Sequence, residues 1–313
     1  MLESLAKREI QPLLTSAKLK CIKNLVSGKL FQEDESRSYL LGTICKHLRL
    51  HLAHRDELKL CTDILSDILS FLYQKKRTCE VGGKVNNILH HDLEMLGLNT
   101  LDVLISTVLI IMDRTTAVLG SLVACLIGLL QLLDESHYKK LWEELGDKKP
   151  LKDFLLRAFL VLSDLVKQDV FPSDWLVMRM VTNQVILTAL RHLAPPLIYW
   201  FLDNRSFSLQ VWSNYFNLAV AFLTQPSLQL EMFSDVRREK IIEKYGDMRV
   251  QMGFQILKVW SKLGEHKINF IPSMVGPFLE VTLVPENELR KATLNIFFDM
   301  MECEQRIHGN FKQ

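Results

Sequence analysis

His47, His51 and His54 are the residues whose spacing comes nearest to a chemical site, because steps of four and then three align three imidazoles along one helical face. Such a row could begin a metal centre. The surrounding KHLRLHLAHR is basic, however, and no carboxylate or thiol is placed to complete a tetrahedron. The spacing therefore predicts a polar, solvated helix face. His90 and His91 are adjacent, so on a helix they diverge by about 100° and cannot chelate together; they are assigned to a surface turn.

Other chemistries lack their residues. The six cysteines, Cys21, Cys45, Cys61, Cys79, Cys125 and Cys303, form no C-x-x-C pair, which argues against a zinc ribbon or a redox couple. Most fall on apolar helical faces, where cysteine behaves as a small hydrophobe in a reducing setting. The thirteen glycines form no dinucleotide-binding fingerprint, and neither Gly28-Lys29 nor Gly83-Lys84 has the upstream glycine of a phosphate loop. Neither H-E-x-x-H nor G-x-S-x-G occurs. Tyr199, Trp200, Phe201, Phe207, Trp212, Tyr215, Phe216 and Phe222 could stack on bases, but only Arg205 supplies a nearby cation. They are predicted to pack as core between two helices. Glu143-Glu144 and the Glu286/Glu288 pair suit helix ends or solvent rather than an acid and base pair. The prediction is therefore no catalytic, cofactor-binding or metal residues and no cofactor.

With 38 basic and 36 acidic residues in 313, the chain has no general attraction for nucleic acid or an anionic membrane. The N-terminus carries charges where a signal peptide needs an apolar core, and Asn204-Arg205-Ser206 would matter as a sequon only in a secreted protein. Thr115 to Leu133 is free of charge and about long enough to cross a bilayer. Asp113, Arg114, Asp134 and Glu135 flank it without aromatic or polybasic anchors, which favours a buried core helix over a transmembrane span.

These residues require elements to place them, and the periodicity is helical. Cys61, Ile64, Leu65, Ile68, Leu69 and Leu72 form one stripe, with Asp63, Ser66, Asp67 and Ser70 opposite. Ser234 and Asp235 signal the start of one long helix carrying Ile241, Tyr245, Met248, Met252, Ile256 and Val259, with Gly246 and Gly253 inside it. Close approach of a neighbouring helix would explain the glycines, and a hinge is the alternative. Pro285 and Glu286 open a helix with Leu289, Ala292, Ile296, Phe297 and Met300 inward.

Breaks are expected at 78 to 87, 145 to 153, around Pro195-Pro196 and at 263 to 272, so helices arrive in pairs. No stretch alternates long enough for a sheet. The fold class is all-α, an α-solenoid of the armadillo or HEAT kind, with a non-repetitive bundle as alternative; tetratricopeptide and ankyrin signatures are absent. One continuous region over 1–313 is expected, with sub-blocks 1–80, 81–150 and 151–313.

The last third carries a further signal. WSNYFNLAVAFLTQPSLQLE from Trp212, KYGDMR from Lys244, FIPSMVGP from Phe270 and ELRKATLNIFFDMM from Glu288 occur in one order. Together they resemble the DOCK (dedicator of cytokinesis) family of guanine nucleotide exchange factors, strongly from about Val170 onward and more loosely before. The resemblance implies the helical-repeat region between a lipid-binding C2-like domain and the catalytic exchange domain, acting on Rac or Rap GTPases. Neither flanking domain is in this sequence; the catalytic helix would lie beyond Gln313, so no catalytic residue is carried over. The segment through which relatives bind an ELMO-type adaptor would lie upstream. LGEHKINFIP and the GNFKQ ending resemble the branch with presenilin-binding members, while ELRKATLNIFFDMMECE also resembles the Rac-specific branch. The GNFKQ ending, with no helix-stop signal, reads as a fragment or an incomplete gene model. The expected role is a non-catalytic, cytoplasmic scaffold recruited to the plasma membrane within its parent protein. A free-standing solenoid adaptor is the alternative.

Overall fold

Stripes of apolar side chains, spaced for one helical face, decide how this chain packs. In the computed structural model, which describes residues 2–81, 87–111, 116–168, 170–172 and 174–309, all regular structure is helical among the described residues. Gly83-Lys84, Asp113-Arg114, Thr115, Ser173 and the last four residues of the GNFKQ ending lie outside them. The helices fall into two compact units, Met1–Gly146 and Asp147–Gln313.

The first unit contains α1 (Leu2–Val26), a short α2 (Lys29–Gln32), α3 (Asp34–His54), α4 (Leu58–Val81), α5 (Asn87–Ile110), α6 (Ala117–Leu132) and α7 (Glu135–Leu145). Apart from α2, each helix packs chiefly on the next but one, so α1, α4 and α6 form one row and α3, α5 and α7 another. That skipping pattern is how helix pairs stack, each hiding an apolar face against its equivalent in the next pair. In α4 the expected stripe from Cys61 to Leu72 is buried, while Ser66, Asp67 and Ser70 face solvent. With 24 residues each, α4 and α5 together exceed the roughly 34-residue tetratricopeptide unit and suit the longer HEAT and armadillo kind.

Two apolar helices bear on the membrane question. The charge-free run becomes α6, with Leu119, Leu122, Val123, Leu126, Leu129 and Leu130 buried. Its small and polar residues Ser121, Ala124 and Gln131 form a stripe that stays exposed, so neighbours do not cover every face. Among the described residues, the one unbroken helix with the length and composition to span a bilayer is α5, and 56% of its most apolar window is buried inside the unit.

The second unit contains α8 (Lys148–Lys167), α9 (Leu176–Phe201), α10 (Leu209–Thr224), α11 (Asp235–Tyr245), α12 (Met248–Lys262), α13 (Val275–Thr282) and α14 (Asn287–His308), with 3-10 turns at Pro226–Leu228, Leu230–Met232 and Gly264–Phe270. Here α8, α10, α12 and α14 pack in succession, α9 lies against α11 and α12, and α13 against α10 and α14. Trp212, Phe216, Trp260, Phe270 and Phe278 are fully buried together; Phe216 meets the other four at ring separations of 5.5 to 6.1 Å. Three of these are edge-to-face and the Trp212 pair is stacked, and aromatic pairs of either kind add about 0.5 to 1.5 kcal/mol beyond burial.

Two expected boundaries move. The helix proposed to run from Ser234 through Val259 is two, because Gly246 takes φ 68° and ψ −177°, which ends α11, and Asp247 restarts the chain by accepting from the Arg249 N–H. The break at Pro195-Pro196 does not occur. Helix α9 continues through both prolines, Pro195 on the solvent side and Pro196 buried beside Leu193, Ala194 and Leu197. Losing two ladder donors is outweighed there by the apolar face on either side, and the chain turns only after Phe201.

Candidate functional site

The histidine row does not assemble a site. On α3, His51 points into the unit at 6% exposure, His47 is half-buried and His54 is exposed, its Nδ1–H donating to the Leu50 carbonyl at 2.8 Å. The expected solvated face is thus corrected at its middle residue. Its neighbours Leu48 and Leu52 on the same turn are buried, and they carry the ring inward. Burial, with Lys18 nearby, holds the His51 pKa below its ordinary value, against a weak pull from Asp56 at 3.9 Å. The helix ends in a left-handed Arg55 at φ 61°, where the Asp56 and Arg55 N–H groups return to His51 and Leu52.

A different histidine is brought to partners 40-odd residues away. His90 lies in the first turn of α5 rather than in a surface turn, and its ring stacks on His137 at 4.2 Å. His91 beside it is exposed. The chain bends by 107° between α6 and α7, and Asp134 caps α7 there, accepting from the backbone N–H groups of Ser136 and His137. His137 Nδ1 lies 2.7 Å from Asp134 Oδ1 and accepts from the Asp134 N–H at 3.1 Å. Its Nε2 lies 3.1 Å from the His90 carbonyl, and the Ser136 hydroxyl bridges Asp134 Oδ1 and His90 Nε2. Burial opposes the Asp134 charge, yet the Ser136 hydroxyl and the two imidazoles hold its pKa below the usual carboxylate range. Asp134 entered the sequence reading only as a helix flank and His137 not at all. The capping pattern D-x-x-H at 134–137 was the signal present.

The Ser136–His90 contact has the 2.7 Å spacing of a nucleophile and its base. The carboxylate sits on the serine rather than on the far nitrogen of the imidazole, so the relay that activates a serine nucleophile is not formed. Elsewhere in this unit Arg37, fully buried, donates to Asp92 at 2.7 Å and to Asp34 at 2.8 Å, and lies 5.2 Å from the Phe71 ring. That network ties α3 to α4 and α5 and carries no reactive group. The thiols of Cys45, Cys61 and Cys125 are pushed up to about 12 by burial, so they are unreactive as nucleophiles. A groove of about 360 Å³ lies between α4 and α6, with Asp63, Ser66, Ser70, Tyr73, Ser121 and Gln131 among its walls.

In the second unit the aromatic residues are core in the main, with corrections at the edges. Phe201, Trp212, Tyr215, Phe216 and Phe222 are buried, and the Trp212 indole donates to the Phe201 carbonyl at 2.8 Å. Trp200 and Phe207 are half-buried, and Tyr199 is 79% exposed. The ordered blocks of the last third also acquire a physical role. Glu231, from the first block, and Asp247, from the second, share Arg249 in four hydrogen bonds of 2.8 to 3.1 Å, with Arg249 itself 2% exposed. Desolvation works against the guanidinium, but the two carboxylates raise its pKa, while Arg249 in turn helps to lower that of Glu231. This cluster anchors the turn before α11 to the start of α12.

Alternating helix rows, apolar cores and structural ion clusters define an all-α helical-repeat protein. Over residues 1–313 the sequence matches the family model described as the dedicator of cytokinesis (DOCK) TPR region. It is 41% identical to mouse Dedicator of cytokinesis protein 3 over 309 residues, and 42% identical to mouse Dedicator of cytokinesis protein 4 over 311 residues. Human Dedicator of cytokinesis protein 4 is 41% identical over 311 residues. These alignments cover 95% and 96% of this chain for the mouse proteins, 96% for the human one, and 15% of each relative, so the chain spans about a seventh of their length. The chain belongs to the DOCK family.

Proposed function

We propose that this chain is a non-catalytic helical scaffold segment of a DOCK-family guanine nucleotide exchange factor that activates Rac or Rap GTPases. The observation that carries the reading is the family match along the whole chain, joined to a fold of stacked helices whose polar clusters serve packing. A helical array of this type would act by holding flanking domains apart, here a lipid-binding C2-like domain and the exchange domain. Recruitment of an ELMO-type adaptor and the move from cytoplasm to plasma membrane would belong to those other parts.

The test is nucleotide exchange on a panel of Rho-family and Rap GTPases. The chain alone is expected to leave the rate unchanged, and the chain joined to a DOCK exchange domain to raise it. Acceleration by the chain alone would overturn the non-catalytic reading. No acceleration by either, with a stable partner complex formed by the chain itself, would favour a free-standing adaptor instead.

A further inference from the structure

We propose that His90, Asp134 and His137 form a binding site for a divalent transition-metal ion of the zinc class. Two imidazoles and a carboxylate are the donor types zinc takes from protein, and their ligand atoms all lie within 4.8 Å of one another. The three come from the start of α5 and the junction of α6 with α7, so the fold itself makes them converge.

The hydrogen bonds around His137 prepare it as a ligand. The His90 carbonyl can only accept, so at 3.1 Å it fixes the proton on Nε2 and leaves the Nδ1 lone pair directed at Asp134. A metal-bound histidine ordinarily has its second nitrogen anchored to a carbonyl or carboxylate in this way. Nδ1 accepts from the Asp134 N–H at 3.1 Å and lies 2.7 Å from Asp134 Oδ1, so an ion bound there would take the place of that capping hydrogen bond. With zinc bonds of about 2.0 to 2.2 Å, tetrahedral ligand atoms stand about 3.4 Å apart, so Asp134 has to swing out by less than 1 Å.

Asp134 is about half exposed and His90 half-buried, which gives a hydrated ion a way in. His90 would bind through Nε2, exchanging its contact with the Ser136 hydroxyl for the ion, and water would fill the fourth position. The bound ion would link the start of α5 to the cap of α7, two helices already packed in one row.

The untagged full chain, stripped of metal, is titrated with Zn²⁺ by calorimetry and with Co²⁺ by visible absorption. One equivalent is expected to bind, with ligand-field bands of tetrahedral cobalt and a raised Tm. His90→Ala, which leaves the α7 cap intact, should weaken binding at least tenfold, and so should Asp134→Asn, whose amide oxygen still accepts the capping N–H groups. His54→Ala and His91→Ala should bind as the natural chain does. Zero stoichiometry, or unchanged affinity in His90→Ala with its helical circular dichroism retained, would overturn the proposal.

Discussion

At the scale of single residues, Phe216 is the one whose loss should matter most in the second unit. It is fully buried and its ring touches Trp212, Tyr215, Trp260, Phe270 and Phe278. Phe216→Ala is expected to cost about 3 to 5 kcal/mol in urea unfolding of that unit. A loss below about 1 kcal/mol would mean that the cluster is not the core. His51 makes a prediction in pH. Its folded pKa is lowered, so as pH falls through about 6.5 the unfolded chain takes up the proton first and stability declines. Stability from this residue is intact above that pH. His51→Leu should therefore flatten the fall in Tm between pH 7 and pH 5 relative to the natural chain; an unchanged slope would contradict the buried, neutral ring. The aromatic core and the burial of Cys45, Cys61 and Cys125 were legible in the sequence, because the aromatic cluster has one nearby cation and these cysteines fall on apolar helical faces. His51, His90 and His137 were not. A helical wheel sets angular spacing but not which neighbour covers a face, and His137 meets His90 only through a contact 47 residues long.

At the scale of elements, α4 and α14 could be read from their stripes and α6 from its charge-free run, and the two misplaced boundaries turn on glycine and proline. Gly246 and Gly253 sit seven apart and look equivalent in sequence, yet one ends a helix and the other lies within one. At Gly246 the positive φ excludes a Cβ, so Gly246→Ala should destabilise by about 1 to 3 kcal/mol. At Gly253 an added Cβ would stand 2.6 Å from Leu289 Cδ1, where α14 crosses α12. Gly253→Ala gains about 1 kcal/mol of helix propensity but forces the buried Leu289 to move, for a net loss of roughly 1 kcal/mol. Adding Leu289→Val should restore part of that loss, whereas it should do nothing for Gly246→Ala. A double-mutant cycle in urea checks the pair, and equal responses of the two glycines would contradict these separate roles. Pro195-Pro196 misled for the converse reason. Proline weakens a helix locally, but a 26-residue helix buried on both sides of the pair has enough packing to continue through it.

At the scale of the whole molecule, the all-α repeat class followed from periodicity, while the family came from the ordered blocks of the last third. Those blocks are now accounted for by packing: they place Trp212, Phe216 and Phe270 in one core and join Glu231 and Asp247 through Arg249. The central claim is a scaffold role inside an exchange factor. Its most direct test replaces the matching segment of mouse Dedicator of cytokinesis protein 3 with this chain and measures nucleotide exchange on the Rac and Rap GTPases. The account predicts that the chimera retains the exchange rate of its parent, while a version with Phe216→Ala, which loosens the array, loses part of it. A folded chimera that loses exchange altogether, or this chain accelerating exchange when isolated, would contradict it.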